Sequence, residues 1–394
     1  MKEFLFHICS FLLAVVLVSL VFWVWPGTEP TPDIIAISGT QQKTDGFLPN
    51  LSKGDQAEIE FISSIQSPEQ LTIFGSSEFS SSEYCPFNFL PAKYGIPVLG
   101  IGHAHHQELS ILGELLAADE YVENSKISII ISPGWFNSSG TNSKAFIEFM
   151  RPNFLKRIAT SSSIDSKYKL KFGKYIHENY SEFNGVSYEM DVLRDLYLQK
   201  EGFVFQQVIS SLRTGLRNKF GHVYSLDTVG YETQLIEVPA FKELSDLTSI
   251  GDSLKNLFLD GISNNDLFVY DEYYAKYLVR KDGSVKSGSF KSISLDDNSE
   301  FSDFKLLVNY LDEKSVDCSF IILPLNPHYY EGMNHGQLLV NELVKVLDSK
   351  GMPYLNLFTQ AKEEYEPGIL RDVMHVGDYG WIKINQFLLD NYYE

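Results

Sequence analysis

The sequence predicts an α/β protein, a three-layer α/β/α sandwich around a central parallel sheet. Three observations predict it. Five short apolar, β-prone runs recur along the chain: Leu71-Thr-Ile-Phe-Gly75, Gly95-Ile-Pro-Val-Leu-Gly-Ile-Gly102, Ile127-Ser-Ile-Ile-Ile131, Cys318-Ser-Phe-Ile-Ile-Leu-Pro-Leu-Asn326 and Pro353-Tyr-Leu-Asn-Leu-Phe358. Segments with helical spacing lie between them, the alternation expected of crossover units in a parallel sheet. A composition of 44% apolar and 21% charged residues over 394 positions supplies a sizeable core.

Taken in order, the chain opens with an apolar, uncharged run, Phe4 to Trp25, long enough for a bilayer helix. Its length, and the Trp23/Trp25 pair at its end, favour a retained anchor over a cleaved signal peptide. The lone Lys2 before it argues for a cytoplasmic N-terminus, which places the rest of the chain outside the cytoplasm. The Pro-rich stretch from Pro26 reads as a stiff spacer, and residues 26–67 as a linker and connecting region.

Residues 68–394 then form the α/β domain. Leu109, Leu112, Leu115 and Leu116 share one face of a helix within His103–Tyr121. From about 137 to 315 the strand rhythm breaks. That stretch is Lys-, Ser- and Tyr-rich, with amphipathic segments at Tyr188–Leu198 and Phe205–Asn218, and reads as a largely helical insertion. Helices are expected again at Phe301–Leu311, His335–Leu347 and Trp381–Asn391. Val269–Leu278 is an aromatic stripe that either lines a cleft or packs.

Charge narrows the function. A net charge of −19 with no compensating basic cluster along the sequence sets nucleic-acid binding aside. It also means that hydrophobic anchoring, not attraction to anionic lipid, would hold the protein at a membrane. Cys85 and Cys318 either pair or are simply buried, and two remote cysteines make no disulfide framework.

The chemistry concentrates at two places. Ser77 follows a buried strand and the turn-permitting Gly75, which would carry a hydroxyl to the carboxyl edge of the sheet, where open α/β proteins place their sites. Its bland alternative is a helix N-cap. Asp372 and His375, three residues apart in a late loop, can present a carboxylate to one imidazole nitrogen and leave the other facing a hydroxyl. Their bland alternative is a surface ion pair. The loop Gly102-His-Ala-His-His-Gln107 invites a metal reading, but no carboxylate or Cys spacing completes one. The expectation is no metal and no cofactor, with these histidines at a helix start or lining a cleft.

A serine followed far downstream by Asp-x-x-His is the order of the SGNH hydrolases, whose sheet is flavodoxin-like. Four stretches take the resemblance further: Phe74-Gly-Ser-Ser-Glu78, Ile131-Ser-Pro-Gly-Trp-Phe136, Leu323-Pro-Leu-Asn-Pro-His-Tyr-Tyr330 and Asp372-Val-Met-His-Val-Gly-Asp-Tyr-Gly-Trp381. With the N-terminal apolar run, they resemble the DltD family, membrane-anchored extracytoplasmic proteins of teichoic acid D-alanylation. The resemblance implies a serine acyltransferase with Ser77 as nucleophile, His375 as base and Asp372 as its orienter. It implies an acyl-enzyme passed to an envelope polymer, and as partners a membrane-bound O-acyltransferase, an acyl carrier and other proteins of that pathway. The N–H groups of Ser77 and Gly102 are candidates for an oxyanion hole, and Gln107, Trp135, Asn137, Asn326 and Tyr329 for lining the site. Gly134 departs from the family pattern, which has Gln there.

Two other functions compete. One is an esterase or O-acetylesterase of the same fold acting alone in the envelope; the other is a non-catalytic partner that docks a carrier or an acyltransferase. The acidic balance bears on the first choice, because a polyanionic acceptor needs a locally neutral or basic cleft.

Overall fold

Side chains along the central strands go alternately to two separate cores. Ile127, Ile129, Ile131, Phe320 and Ile322 pack into one, and Ile130, Ile321 and Leu323 into the other. A sheet covered on both faces needs apolar residues at successive positions, which is why these strands read as continuous apolar runs. The computed structural model describes residues 47–48, 55–79, 82–137, 140–183, 187–200, 247–262 and 265–393. The runs Phe4–Trp25 and Phe205–Asn218 lie outside the described residues, among which no helix is long and apolar enough to cross a membrane.

The strands are β1 (Phe47–Leu48), β2 (Leu71–Phe74), β3 (Val98–Ile101), β4 (Lys126–Ile131), β5 (Gly288–Ser289), β6 (Asp317–Ile322), β7 (Tyr330–Glu331) and β8 (Tyr354–Asn356). Six of them form one sheet in the order β1-β3-β2-β4-β6-β8, every pair parallel, while β5 and β7 pair apart from it. The five runs read as strands are all in this sheet, and the two-residue β1 extends its edge. After β2 the chain moves to β3 on one side and then crosses back to β4 on the other. The topological switch point, where open α/β sheets leave a crevice, therefore lies at the end of β2.

One face is covered by α1 (Asp55–Gln66), α3 (Glu108–Ala117), α9 (Ser299–Glu313) and α10 (Met333–Lys350). The other carries α2 (Pro86–Tyr94), α8 (Thr248–Asp260) and α11 (Asp378–Tyr392). Residues 55–66, expected to be connecting chain, are a helix because Phe61, Ile62 and Ile65 fall on one side and are fully buried. On α3, Leu109, Leu112, Leu115 and Leu116 are buried as their spacing predicts. Between β4 and α9 come α4 (Ser143–Phe149), α5 (Pro152–Thr160), α6 (Ser166–Glu178) and α7 (Tyr188–Lys200), whose apolar faces join the first core. Asn142 and Asp165 cap α4 and α6 with side-chain oxygens. Cys85 and Cys318 are each buried in a different core and do not pair with one another.

The two ends of the domain, 300 residues apart in sequence, meet along α11. The Phe79 ring stacks on fully buried Trp381 with centroids 6.5 Å apart. Ser82 Oγ donates to Asp378 Oδ1 at 2.7 Å, and Asn385 Nδ2 donates to the Tyr84 carbonyl at 2.8 Å. Trp381→Ala should therefore lower unfolding free energy by about 3–5 kcal/mol. Equilibrium denaturation would measure it, and a loss below about 1 kcal/mol would mean that this seam contributes little.

Candidate active site

The turn after β2 is held by its own side chains. The Ser76 N–H donates to Glu78 Oε1 at 2.5 Å, and Ser76 Oγ donates to the His103 carbonyl at 3.0 Å. Ser76 and Glu78 are buried, and Ser77 between them is exposed. A reverse turn that pins its two flanking residues inward leaves the middle hydroxyl facing out, so Ser77 is presented and does not cap a helix.

The neighbouring loop after β3 comes close enough to restrict residue type. At Gly102, with φ +133°, a Cβ would lie 1.9 Å from the Gly75 carbonyl oxygen and 2.6 Å from His106 Nδ1. His106 is fully buried, stacked on Phe149 at 3.9 Å, and bonds the Gly75 carbonyl through Nδ1 at 3.0 Å. Its Nε2 faces Glu114 Oε2 at 3.1 Å. Because a carbonyl only accepts, Nδ1 carries a proton. His103 pairs instead with Glu148 at 3.0 Å. His103 and His106 thus serve the loop's architecture while exposed His105 lines the cavity, and no group of three or more metal-ligating side chains occurs among the described residues.

The other half of the site lies between β8 and α11. Leu370 and Val376 form an antiparallel bridge, and the Arg371 N–H donates to the His375 carbonyl at 2.9 Å, closing a tight turn. Inside it, Asp372 Oδ1 accepts from the N–H groups of Met374 (2.9 Å) and His375 (2.8 Å). Oδ2 meets His375 Nδ1 at 2.8 Å. Burial opposes ionisation of Asp372, but the His375 ring and these two N–H groups outweigh it and hold the carboxyl below its usual range. With Nδ1 as donor, Nε2 is left as the free acceptor. Val373 anchors the turn against Val269 and Leu278, flanked by Tyr273, Tyr274 and Tyr329, and the Asn326 N–H donates to its carbonyl at 3.2 Å. Val269, Tyr273, Tyr274 and Leu278 of the aromatic stripe therefore pack beneath the turn, while Tyr270 and Tyr277 are exposed.

Ser77 and His375 line one cavity of about 910 Å³, together with Gln107, Ser132, Gly134 and Trp135. No Ser77–His375 hydrogen bond forms among the described residues. Gln107 braces the wall, its Nε2 donating to Glu300 Oε2 at 2.8 Å and its Oε1 accepting from the Asn142 N–H at 3.2 Å. Gly102, Asn326 and Tyr329 do not line the cavity. Gly102 packs on the Ser77 turn, fully buried Asn326 binds the Leu267 carbonyl at 2.6 Å, and Tyr329 packs on Tyr330. Asn137 ends the 3₁₀ turn Pro133–Asn137, and its side chain is not among those described. A Cβ on Gly134 would meet only Ser132 Oγ, at 3.5 Å, so the departure from Gln leaves open space there.

Lys171, Lys174, Tyr175 and Glu178, which belong to no motif in the sequence, are contributed to the cavity wall by α6. Their spacing marks one helix face, but only the packing of α6 against α9 shows that this face opens on Ser77.

Several buried carboxyls surround the site. Burial raises Glu78 to about 7 against the opposing pull of backbone N–H groups, His375 and His106. Burial likewise raises Asp303 to about 6, against the pull of Lys171. Glu108 and Glu300 are raised by burial too, Glu300 the more because Glu108 lies against it.

These features define the class as an open parallel α/β protein with its cavity at the switch point of the sheet. Within that class the chain belongs to the DltD family, whose model (DltD protein) matches residues 55–394. It is 23% identical over 352 residues to Protein DltD of Bacillus subtilis (strain 168), covering 84% of each chain. With Protein DltD of Lacticaseibacillus rhamnosus it shares 21% over 371 residues, covering 88% of this chain and 82% of that one. With Protein DltD of Staphylococcus aureus (strain NCTC 8325 / PS 47) it shares 19% over 343 residues, covering 82% and 80%.

Two outcomes follow from the geometry. Folded Glu78 and Asp303 keep their protons to about 7 and 6, whereas unfolded they release them near 4.5 and 3.8. Their contribution to stability thus falls as pH rises from about 4 to 7, because the unfolded chain binds fewer protons there. Asp372, shifted the other way, loses its contribution only in more acid solution. The melting temperature at pH 8, relative to pH 5, should be depressed less in Glu78→Gln than in the wild type. Equal differences would contradict a buried, proton-holding Glu78. Separately, Gly102→Ala should displace the Gly75 carbonyl at a cost of about 1–3 kcal/mol, read from the denaturation midpoint. Wild-type stability in that variant would show that the two loops tolerate separation.

Proposed function

We propose that this chain is a serine acyltransferase of SGNH-like mechanism, moving D-alanine onto a teichoic-acid-type polymer of the cell envelope. Membership of the DltD family supports the pathway. The observation that carries the mechanism is the closed Asp372–His375 pair, with Nε2 left free, on the same cavity as exposed Ser77. In this mechanism Ser77 Oγ attacks the acyl carbonyl carbon while its proton passes to His375 Nε2. The resulting oxyanion collapses, the bond to the donor breaks, and the donor's leaving group takes the proton from His375. An acceptor hydroxyl then gives its proton to Nε2 as its oxygen attacks the Ser77 ester. The bond to Ser77 Oγ breaks, and Oγ recovers the proton.

Asp372 fixes the imidazole tautomer and balances the imidazolium that forms. The Ser77 N–H is the proposed oxyanion donor. Gly102, which packs on the same turn, acts by holding it in place. A membrane-bound O-acyltransferase and an acyl carrier are the proposed partners, and the N-terminal apolar run the proposed anchor that keeps the catalytic domain extracytoplasmic.

Intact-mass measurement of the full chain in detergent, exposed to a fluorophosphonate, tests the nucleophile. One adduct should form on the wild type and none on Ser77→Ala. Asp372→Asn, which lets the imidazole adopt the wrong tautomer, should slow labelling by about 10⁴. An adduct that persists in Ser77→Ala, or equal rates for wild type and Asp372→Asn, would reject the assignment.

A further inference from the structure

Beside the cavity lies a groove of about 550 Å³ between α6, α7 and α9. Lys167, Lys171 and Lys174 of α6, Lys200 of α7 and Lys305 of α9 line it, and no acidic side chain does. That is unexpected in a chain with 51 acidic against 32 basic residues. Three of the lysines have carboxylates at their backs: Lys167 pairs with Glu313 at 2.5 Å, Lys171 with Asp303, and Lys174 with Glu178 at 3.8 Å. Lys305 rests on the Phe301 ring at 4.7 Å. Five ammonium groups against three carboxylates leave the groove positive, and the exposed pairs at Lys167 and Lys174 are weak.

The row on α6 runs i, i+4, i+7, a spacing at which like charges repel one another and cost helix stability. Seven residues of helix set its ends roughly 10 Å apart, a track and not a point. Lys171, Lys174 and Ser302 also line the catalytic cavity, so the track leads to Ser77 and His375. Lysines are point charges suited to successive phosphates, whereas planar bidentate recognition would call for Arg, and none lines the groove. A single aromatic, Tyr197, provides no succession of stacking surfaces for bases.

We propose that this groove binds a poly(phosphodiester) acceptor and delivers its hydroxyls to Ser77. The proposal rests on the acyl-transfer function above and adds where the acceptor lies. It also reconciles a strongly acidic protein with a polyanionic partner, since the local field along the track is opposite in sign to the net charge.

The test is fluorescence polarisation of an end-labelled synthetic glycerol phosphate oligomer with the full chain in detergent, across a salt series. The variant is Lys200→Gln/Lys305→Gln, both outside the catalytic cavity. Affinity should fall about 25-fold at low salt, at roughly fivefold per lysine. The slope of log affinity against log salt should shrink by about 1.5. Fluorophosphonate labelling of Ser77 should keep its wild-type rate in the variant. Unchanged affinity and slope would overturn the proposal, as would wild-type binding of the oligomer no tighter than that of an uncharged polyol of equal length. Charge-dependent groove binding in a wild type that fails to label at Ser77 would sustain the groove and reject the acyl-enzyme.

Discussion

Every strand of the main sheet points the same way, and the site depends on that constraint. Parallel strands need crossovers, crossovers put helices on both faces, and all the strand ends that carry loops then lie along one edge. Ser77 after β2, Ser132 after β4 and the Asp372–His375 turn after β8 are brought to one edge by direction alone. An antiparallel sheet of the same residues would scatter them to opposite ends. The Phe79–Trp381 stack and the Ser82–Asp378 bond then set how far apart the serine and histidine loops stand.

Around that edge the backbone is held by groups that cannot easily move. Asp372 uses one oxygen on two backbone N–H groups and the other on the imidazole, so the turn and the tautomer are determined together. Glu78 and Ser76 fold inward and leave Ser77 outside. His106, buried between Glu114 and the Gly75 carbonyl, supports the same turn from behind. The surrounding carboxyls resist ionisation because burial removes the water that would stabilise their charge.

Charge is distributed by position more than by total. The net value of −19 describes the whole surface, yet the helices α6, α7 and α9 gather five lysines along one groove that joins the cavity. Two of the five, Lys171 and Lys174, face both spaces, where the lysine-lined groove meets a cavity that Glu178, Glu182, Asp296 and Asp297 also line.

What the sequence determined by itself was local. Continuous apolar runs become strands buried on two faces, Leu109 to Leu116 form a buried helix face, and Asp372-x-x-His375 makes a turn whose partners are three residues apart. These depend on period and short spacing, which a linear pattern preserves. Two short elements escaped that pattern, because β1 has two residues and α1 a narrow apolar face within a polar stretch. Only the tertiary structure decided that Asn326 and Tyr329 brace the Asp372 turn from outside the cavity, that Gly102 is required by a backbone oxygen from another loop, and which face of α6 meets the site. The reason is physical: those roles are defined by contacts between segments tens to hundreds of residues apart, and side-chain spacing along the chain carries no record of which segment will lie opposite.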